Sequence, residues 1–141
     1  MPTTEENLRS WSETYDWPEG GEEWSKVWGG SEAQWSFVIH PRIHLFLPTD
    51  TILEIAPGYG RWTQYLSPQC RRLVGVDLSA TCVEACTRRF AQVPHASFQQ
   101  NDGYSLAAIA DHSIDFAFSF DSLVHAEQDV LAAYLREFAV C

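Results

Sequence analysis

Ile52-Leu53-Glu54-Ile55-Ala56-Pro57-Gly58-Tyr59-Gly60 is an apolar run that breaks into a proline-glycine turn. A short apolar run bounded in this way reads as a buried strand, over Thr51 to Ala56, and Trp62, Tyr65 and Leu66 then follow helical spacing over about 60–66. Strand, glycine turn and helix together form the arrangement in which backbone approaches a ligand closely. A second signal is linked to it. Leu73-Val74-Gly75-Val76-Asp77-Leu78-Ser79 puts an acid at the end of the next strand, 17 residues past Gly60, placed to accept both hydroxyl protons of a ribose.

Working outward, the C-terminal side continues the alternation. The second strand spans 72–77, and Ser79 caps a helix that buries Val83, Cys86 and Phe90 and closes at Pro94. A third strand covers 96–100 and a short helix falls near 104–110. A fourth strand covers 113–120 with Ile114, Phe116, Phe118 and Phe120 on one face, and a last helix from Glu127 turns Leu131, Tyr134, Leu135 and Phe138 inward. Strands alternating with helices predict an α/β fold whose parallel sheet is built through right-handed crossovers.

The N-terminal side differs. Residues 1–30 hold Trp11, Trp17, Trp24 and Trp28 among acids, glycines and Pro18, which predicts short helical pieces folded onto the body. Ser31 and Gln34 form a capping box for a helix over 32–47, Pro41 kinks it or splits it near His40, and Pro48 ends it. The tryptophans read either as core packing for this extension or as an aromatic lid hinged at Gly29-Gly30, in which Tyr15 and Trp28 touch ligand.

The glycine spacing discriminates between cofactors. A dinucleotide site wants a third small residue three positions after Gly60, where pyrophosphate meets a helix N-terminus, but Thr63 stands there with Trp62 before it. S-Adenosylmethionine has no phosphate to place. Its ammonium and sulfonium suit an acid such as Glu54, which would repel a pyrophosphate.

The segment resembles the class I methyltransferases, whose first motif has the form acid-x-G-x-G-x-G; Glu54-x-Ala56-x-Gly58-x-Gly60 matches with alanine for the first glycine, and the resemblance covers about 51–139. It implies a Rossmann-like sheet of strand order 3-2-1-4 flanked by helices. Residues 1–48 are then a helical Trp-rich extension or lid, and 49–141 a partial S-adenosylmethionine-binding domain. It implies that Glu54 fixes the methionine ammonium, Ala56 and Gly58 line the amino-acid end beside Gly60, Asp77 holds the ribose and Leu78 packs on adenine. Asp102, with Gly103 after it, is placed to meet the adenine amino group and a ring nitrogen. Ser119, Phe120 and Asp121 match the fourth motif, beside the sulfonium and the entering acceptor, and Asp121 and His125 are the candidate acceptor bases. The family sheet has seven strands and only four are legible, so the resemblance implies a C-terminally truncated chain or one completed by association as a homodimer.

Composition bounds the partners. The 141 residues carry 19 acids against nine basic residues, a formal charge of −10, which disfavours a nucleic-acid partner. With no apolar run near the roughly 18 residues of a membrane span and no secretory leader pattern, a cytoplasmic chain without a membrane partner is expected. Cys70, Cys82, Cys86 and Cys141 lack ligand spacing, so no metal is expected, and Cys82 and Cys86 read as buried small apolar residues on a helix. The expectation is methyl transfer from S-adenosylmethionine to a small-molecule acceptor, leaving S-adenosylhomocysteine; a non-catalytic cofactor-binding or self-associating module is the alternative.

Overall fold

The computed structural model describes residues 2–141. Strands β1 (Thr49–Ile55), β2 (Cys70–Asp77), β3 (Ala96–Gln100) and β4 (Phe116–Phe118) form one parallel sheet in the order β3-β2-β1-β4, the Rossmann-like order expected. Glu54 on β1 stands opposite Gly75 on β2 and Phe118 on β4. Alternate residues of β1 and β2 enter two cores. Leu53, Ile55, Val74 and Val76 pack with Leu106, Ile109, Val130 and Tyr134, whereas Ile52 and Leu73 pack with Trp35, Ile39, Trp62 and Leu66 on the other side. Burial on both faces explains why these strands read as near-continuous apolar runs.

Helix α5 (Ala80–Arg89) is capped as expected, the Ser79 hydroxyl accepting the Cys82 N–H at 3.3 Å. Cys82, Ala85, Cys86 and Phe90 form its inner face; Val83, one residue round the helix, is only half-buried. Helix α6 (Gln128–Phe138) buries Val130 and Tyr134 and leaves Leu135 68% exposed, contrary to the expected face. Its rotation is set by Tyr134, which accepts a hydrogen bond from Asn101 Nδ2 at 2.7 Å and stacks on Phe138.

Two further expectations need correction. No helix forms near 104–110: the Asp102 carboxylate starts a turn by accepting the N–H groups of Tyr104 and Ser105 at 2.8 and 2.7 Å, but the next amides are diverted, that of Leu106 to the Glu137 carboxylate at 2.9 Å and that of Ala107 to the Ser105 hydroxyl at 3.0 Å, while the Ser105 carbonyl accepts from Asn101 Nδ2 at 3.2 Å. The fourth strand is three residues long instead of the expected eight. Before it, the amides of His112 and Ile114 pair with the carbonyls of Val140 and Cys141; after it, Ser119 turns to Ser122 and Asp121 adopts φ +63°.

The N-terminal part is helical in short pieces. Helix α1 (Thr4–Arg9) starts in a Thr3/Glu6 capping box; a tight turn (Glu22–Trp28) leads to α2 (Ser31–Gln34), a widened turn (Trp35–Ile39) and α3 (His40–Ile43). The helix is therefore split beside Pro41, with the His40 N–H reaching back to the Trp35 carbonyl. The expected Ser31/Gln34 box is absent. Gly30 occupies the cap position, and the Ser31 hydroxyl is engaged by Glu22 and Tyr65, each at 2.8 Å. No helix among the described residues is long and apolar enough to cross a membrane.

Candidate functional site

A pocket of about 520 Å³ opens at the C-terminal ends of the strands, where the connections after β1 and β4 diverge. That divergence is the switch point at which open α/β sheets bind ligands. Ala56, Pro57, Gly58 and Tyr59 form one wall. Ala56 sits at φ +54° and Gly58 at +59°, so the turn is held in the left-handed region. A Cβ at Gly58 would lie 2.7 Å from the Trp17 ring, which stacks on Tyr59 at 4.5 Å. Gly60, φ +85°, is off the wall: a Cβ there would meet Phe90 at 2.4 Å, so it serves the packing of the turn on α5.

Asp77 is on the wall and only 6% exposed. Burial pushes its carboxyl up to about 6, against the N–H groups of Ser79 and Gly58, which bond it at 2.9 and 3.0 Å and favour the charged form. Leu78 and Gly103 meet beside it, Leu78 Cδ1 lying 3.2 Å from a Cβ position at Gly103. Asp102 does not reach the wall; its carboxylate is spent on the turn. Ser119 is likewise off the wall, while Phe120, Asp121 and His125 are on it.

Glu54 is brought near the turn but not into the pocket. It projects to the opposite face of β1, 2% exposed, and accepts the Thr63 hydroxyl at 2.6 Å; burial pushes it up to about 7. Thr63, at the place where a dinucleotide site wants a small residue, is thus the support of a buried carboxylate.

The N-terminal segment roofs the pocket. Thr4, Asn7, Trp11, Trp17, Gly21 and Trp24 line it, and contacts tie the roof to several strand ends: Ser12 to Ser79, Thr4 to Tyr104, and Asn7 Nδ2 to the His125 carbonyl at 2.9 Å. Trp11, Tyr15, Trp17 and Trp24 pack ring against ring at 5.1–6.0 Å. Tyr15 donates to Glu23 and Trp28 is 53% exposed; neither lines the pocket.

Residues 52–141 match the methyltransferase domain family. The chain belongs to that family. Over 69 residues it is 33% identical to ribosomal RNA small subunit methyltransferase A of Coxiella burnetii, a match covering 48% of this chain and 27% of that relative. Its fold is similar to phosphoethanolamine N-methyltransferase 1 of Haemonchus contortus, solved with phosphoethanolamine and S-adenosylhomocysteine, at a TM-score of 0.66 and 19% identity over 99% of this chain and 30% of that one. It is also similar to the PH0226 protein of Pyrococcus horikoshii, at a TM-score of 0.67 and 18% identity over 94% and 57%. The chain thus spans about a quarter of the curated relative's length.

In this methyltransferase domain one wall residue escaped the sequence reading. Arg61, directly after the glycine turn, is 5% exposed; its guanidinium lies 4.5 Å from the Trp62 ring and 5.3 Å from that of Trp24, donating to Ser25 Oγ at 3.1 Å and to Asp121 Oδ2 at 3.0 Å. Trp62, beside it, also lines the pocket, and its Nε1 is a buried donor without a partner among the described residues. The signal available was an arginine in the first turn after a ligand-binding loop. Its partners lie 36 and 60 residues away, and only the fold brings them in.

Proposed function

We propose that the protein transfers a methyl group from S-adenosylmethionine to a small-molecule acceptor, with 49–141 as cofactor domain and 1–48 as its lid. The observation that carries this reading is Asp77, a buried carboxylate on the pocket wall beside bare backbone at Ala56–Gly58. Its oxygens each accept one N–H and retain capacity for ribose hydroxyls. Leu78 and Gly103 border the adenine, Ala56 and Gly58 the amino-acid end, and Phe120 the sulfur.

When bound, the cofactor supplies a methyl group activated on a positive sulfur. The protein's part is positioning and exclusion of water, by the tryptophan roof above and the strand ends below. His125, exposed at the rim against Trp11 at 5.6 Å, is the proposed acceptor base. A small acceptor is favoured by the roofed pocket and the charge of −10, although the curated relatives are named for ribosomal RNA. The four cysteines are free, which suits a cytoplasmic setting. The outer side of β4, where the exposed Phe46 stacks on Phe116, is the proposed homodimer contact.

Methyl-tritiated cofactor incubated with the protein and a cell extract tests the acceptor class. Label in the low-molecular-weight fraction is expected, and label confined to RNA would overturn it.

A further inference from the structure

We infer that Trp17 is an intramolecular competitor of the cofactor: its indole occupies the bare face of Gly58, and it must be displaced before the cofactor can seat. The inference rests on the cofactor reading and adds a regulation to it. Both polar groups of Gly58 are already engaged, its N–H by Asp77 Oδ2 at 3.0 Å and its carbonyl by the Cys86 thiol at 3.2 Å. What the glycine offers a ligand is therefore chiefly the face left open by its missing side chain. Trp17 fills that face, with Cη2 and Cζ3 only 2.7 and 2.9 Å from where a Cβ would stand, and its ring lies flat on Tyr59, the next residue of the turn.

The ring is held in place against strain. Trp17 has φ +50°, a left-handed backbone that a bulky side chain disfavours, and such outliers persist where the surroundings impose them, often at switches. Its restraints are the Tyr59 stack, the neighbouring indoles and one hydrogen bond from Nε1 to the Trp11 carbonyl at 3.2 Å. The arm that carries it is lightly anchored: none of residues 2–20 is buried, whereas Ser25, Ser31 and Gln34 beyond it are. Between the two parts stand Gly20 and Gly21, both left-handed, so the arm can lift at that point while 22–34 stays seated. Closure by Trp17 leaves a fraction of the chain competent to bind, and the apparent affinity for the cofactor is reduced by that fraction.

The sign of one substitution decides between a competitor and a wall. In calorimetric titration with S-adenosylhomocysteine, Trp17→Ala should bind at least threefold more tightly than the unaltered chain. Trp17→Gly, which suits φ +50° and guards against misfolding of the alanine variant, should do the same. Trp24→Ala loosens the same roof without baring Gly58 and should not tighten binding. Weaker or unchanged binding in both Trp17 variants, with urea unfolding showing them folded, would overturn the inference and make Trp17 part of the finished wall. Equal tightening in Trp24→Ala would overturn it too, because the effect would then belong to the roof in general. Binding by the Trp17 variants alone would be its strongest support. If neither they nor the unaltered chain bound S-adenosylhomocysteine, the cofactor reading would fail and this inference with it.

Discussion

Asp77 and Glu54 are two buried carboxylates on neighbouring strands, and their fates differ because one faces the pocket and the other α4 (Thr63–Leu66). Asp77→Ala removes the proposed ribose acceptor and leaves the N–H groups of Gly58 and Ser79 without their partner. With charged hydrogen bonds contributing about 1.5–3 kcal/mol each, S-adenosylhomocysteine affinity should fall at least tenfold. Asp102→Ala, which alters a turn off the wall, should change it less than about twofold; comparable losses would contradict the ribose assignment. Burial holds both acids above their ordinary values of 3.8 and 4.5, so the folded chain keeps protons that the unfolded chain has released. Their contribution to stability is fully present below about pH 4 and is lost as pH rises through about 6 for Asp77 and 7 for Glu54. Ribose hydroxyls donate to the ionised form, so binding should release a proton near pH 6 and affinity should rise across that range. Titrations in buffers of different ionisation enthalpy check this, and zero proton uptake or release would count against Asp77.

At the level of elements, β1, β2 and α5 were legible because apolar runs buried on both faces and a serine cap leave strong local signals. β4 and the 101–115 connection were not. There the outcome depends on which side chain captures which amide, and on the tail at 140–141, information that hydrophobic periodicity does not carry. The same divide runs through the site: Gly58 and Asp77 announce themselves by spacing, whereas Arg61 matters through partners remote in sequence. Gly60→Ala should lower stability by about 2–4 kcal/mol in urea unfolding, because it places a Cβ against Phe90 in a left-handed turn. The roof makes a separate prediction. Trp17 lies against Gly58 in the pocket, so S-adenosylhomocysteine should change the tryptophan emission and Trp17→Ala should remove most of that change; an unaltered response would place Trp17 outside the ligand's reach.

For the whole molecule, the sheet's two sides are unequal. β3 ends one edge and the three-residue β4 the other, where Phe46, 61% exposed, stacks on Phe116. Sedimentation at micromolar concentration should show a dimer, and Phe46→Glu should return it to monomer; a monomer at all concentrations would contradict the proposed contact. The central claim, that the pocket is built for a sulfonium nucleoside and not for a dinucleotide, is tested most directly by calorimetric titration of the chain with S-adenosylhomocysteine and, separately, with NAD. Saturable binding of S-adenosylhomocysteine at one site and no heat from NAD is the expected result; saturable NAD binding with none of S-adenosylhomocysteine would contradict it.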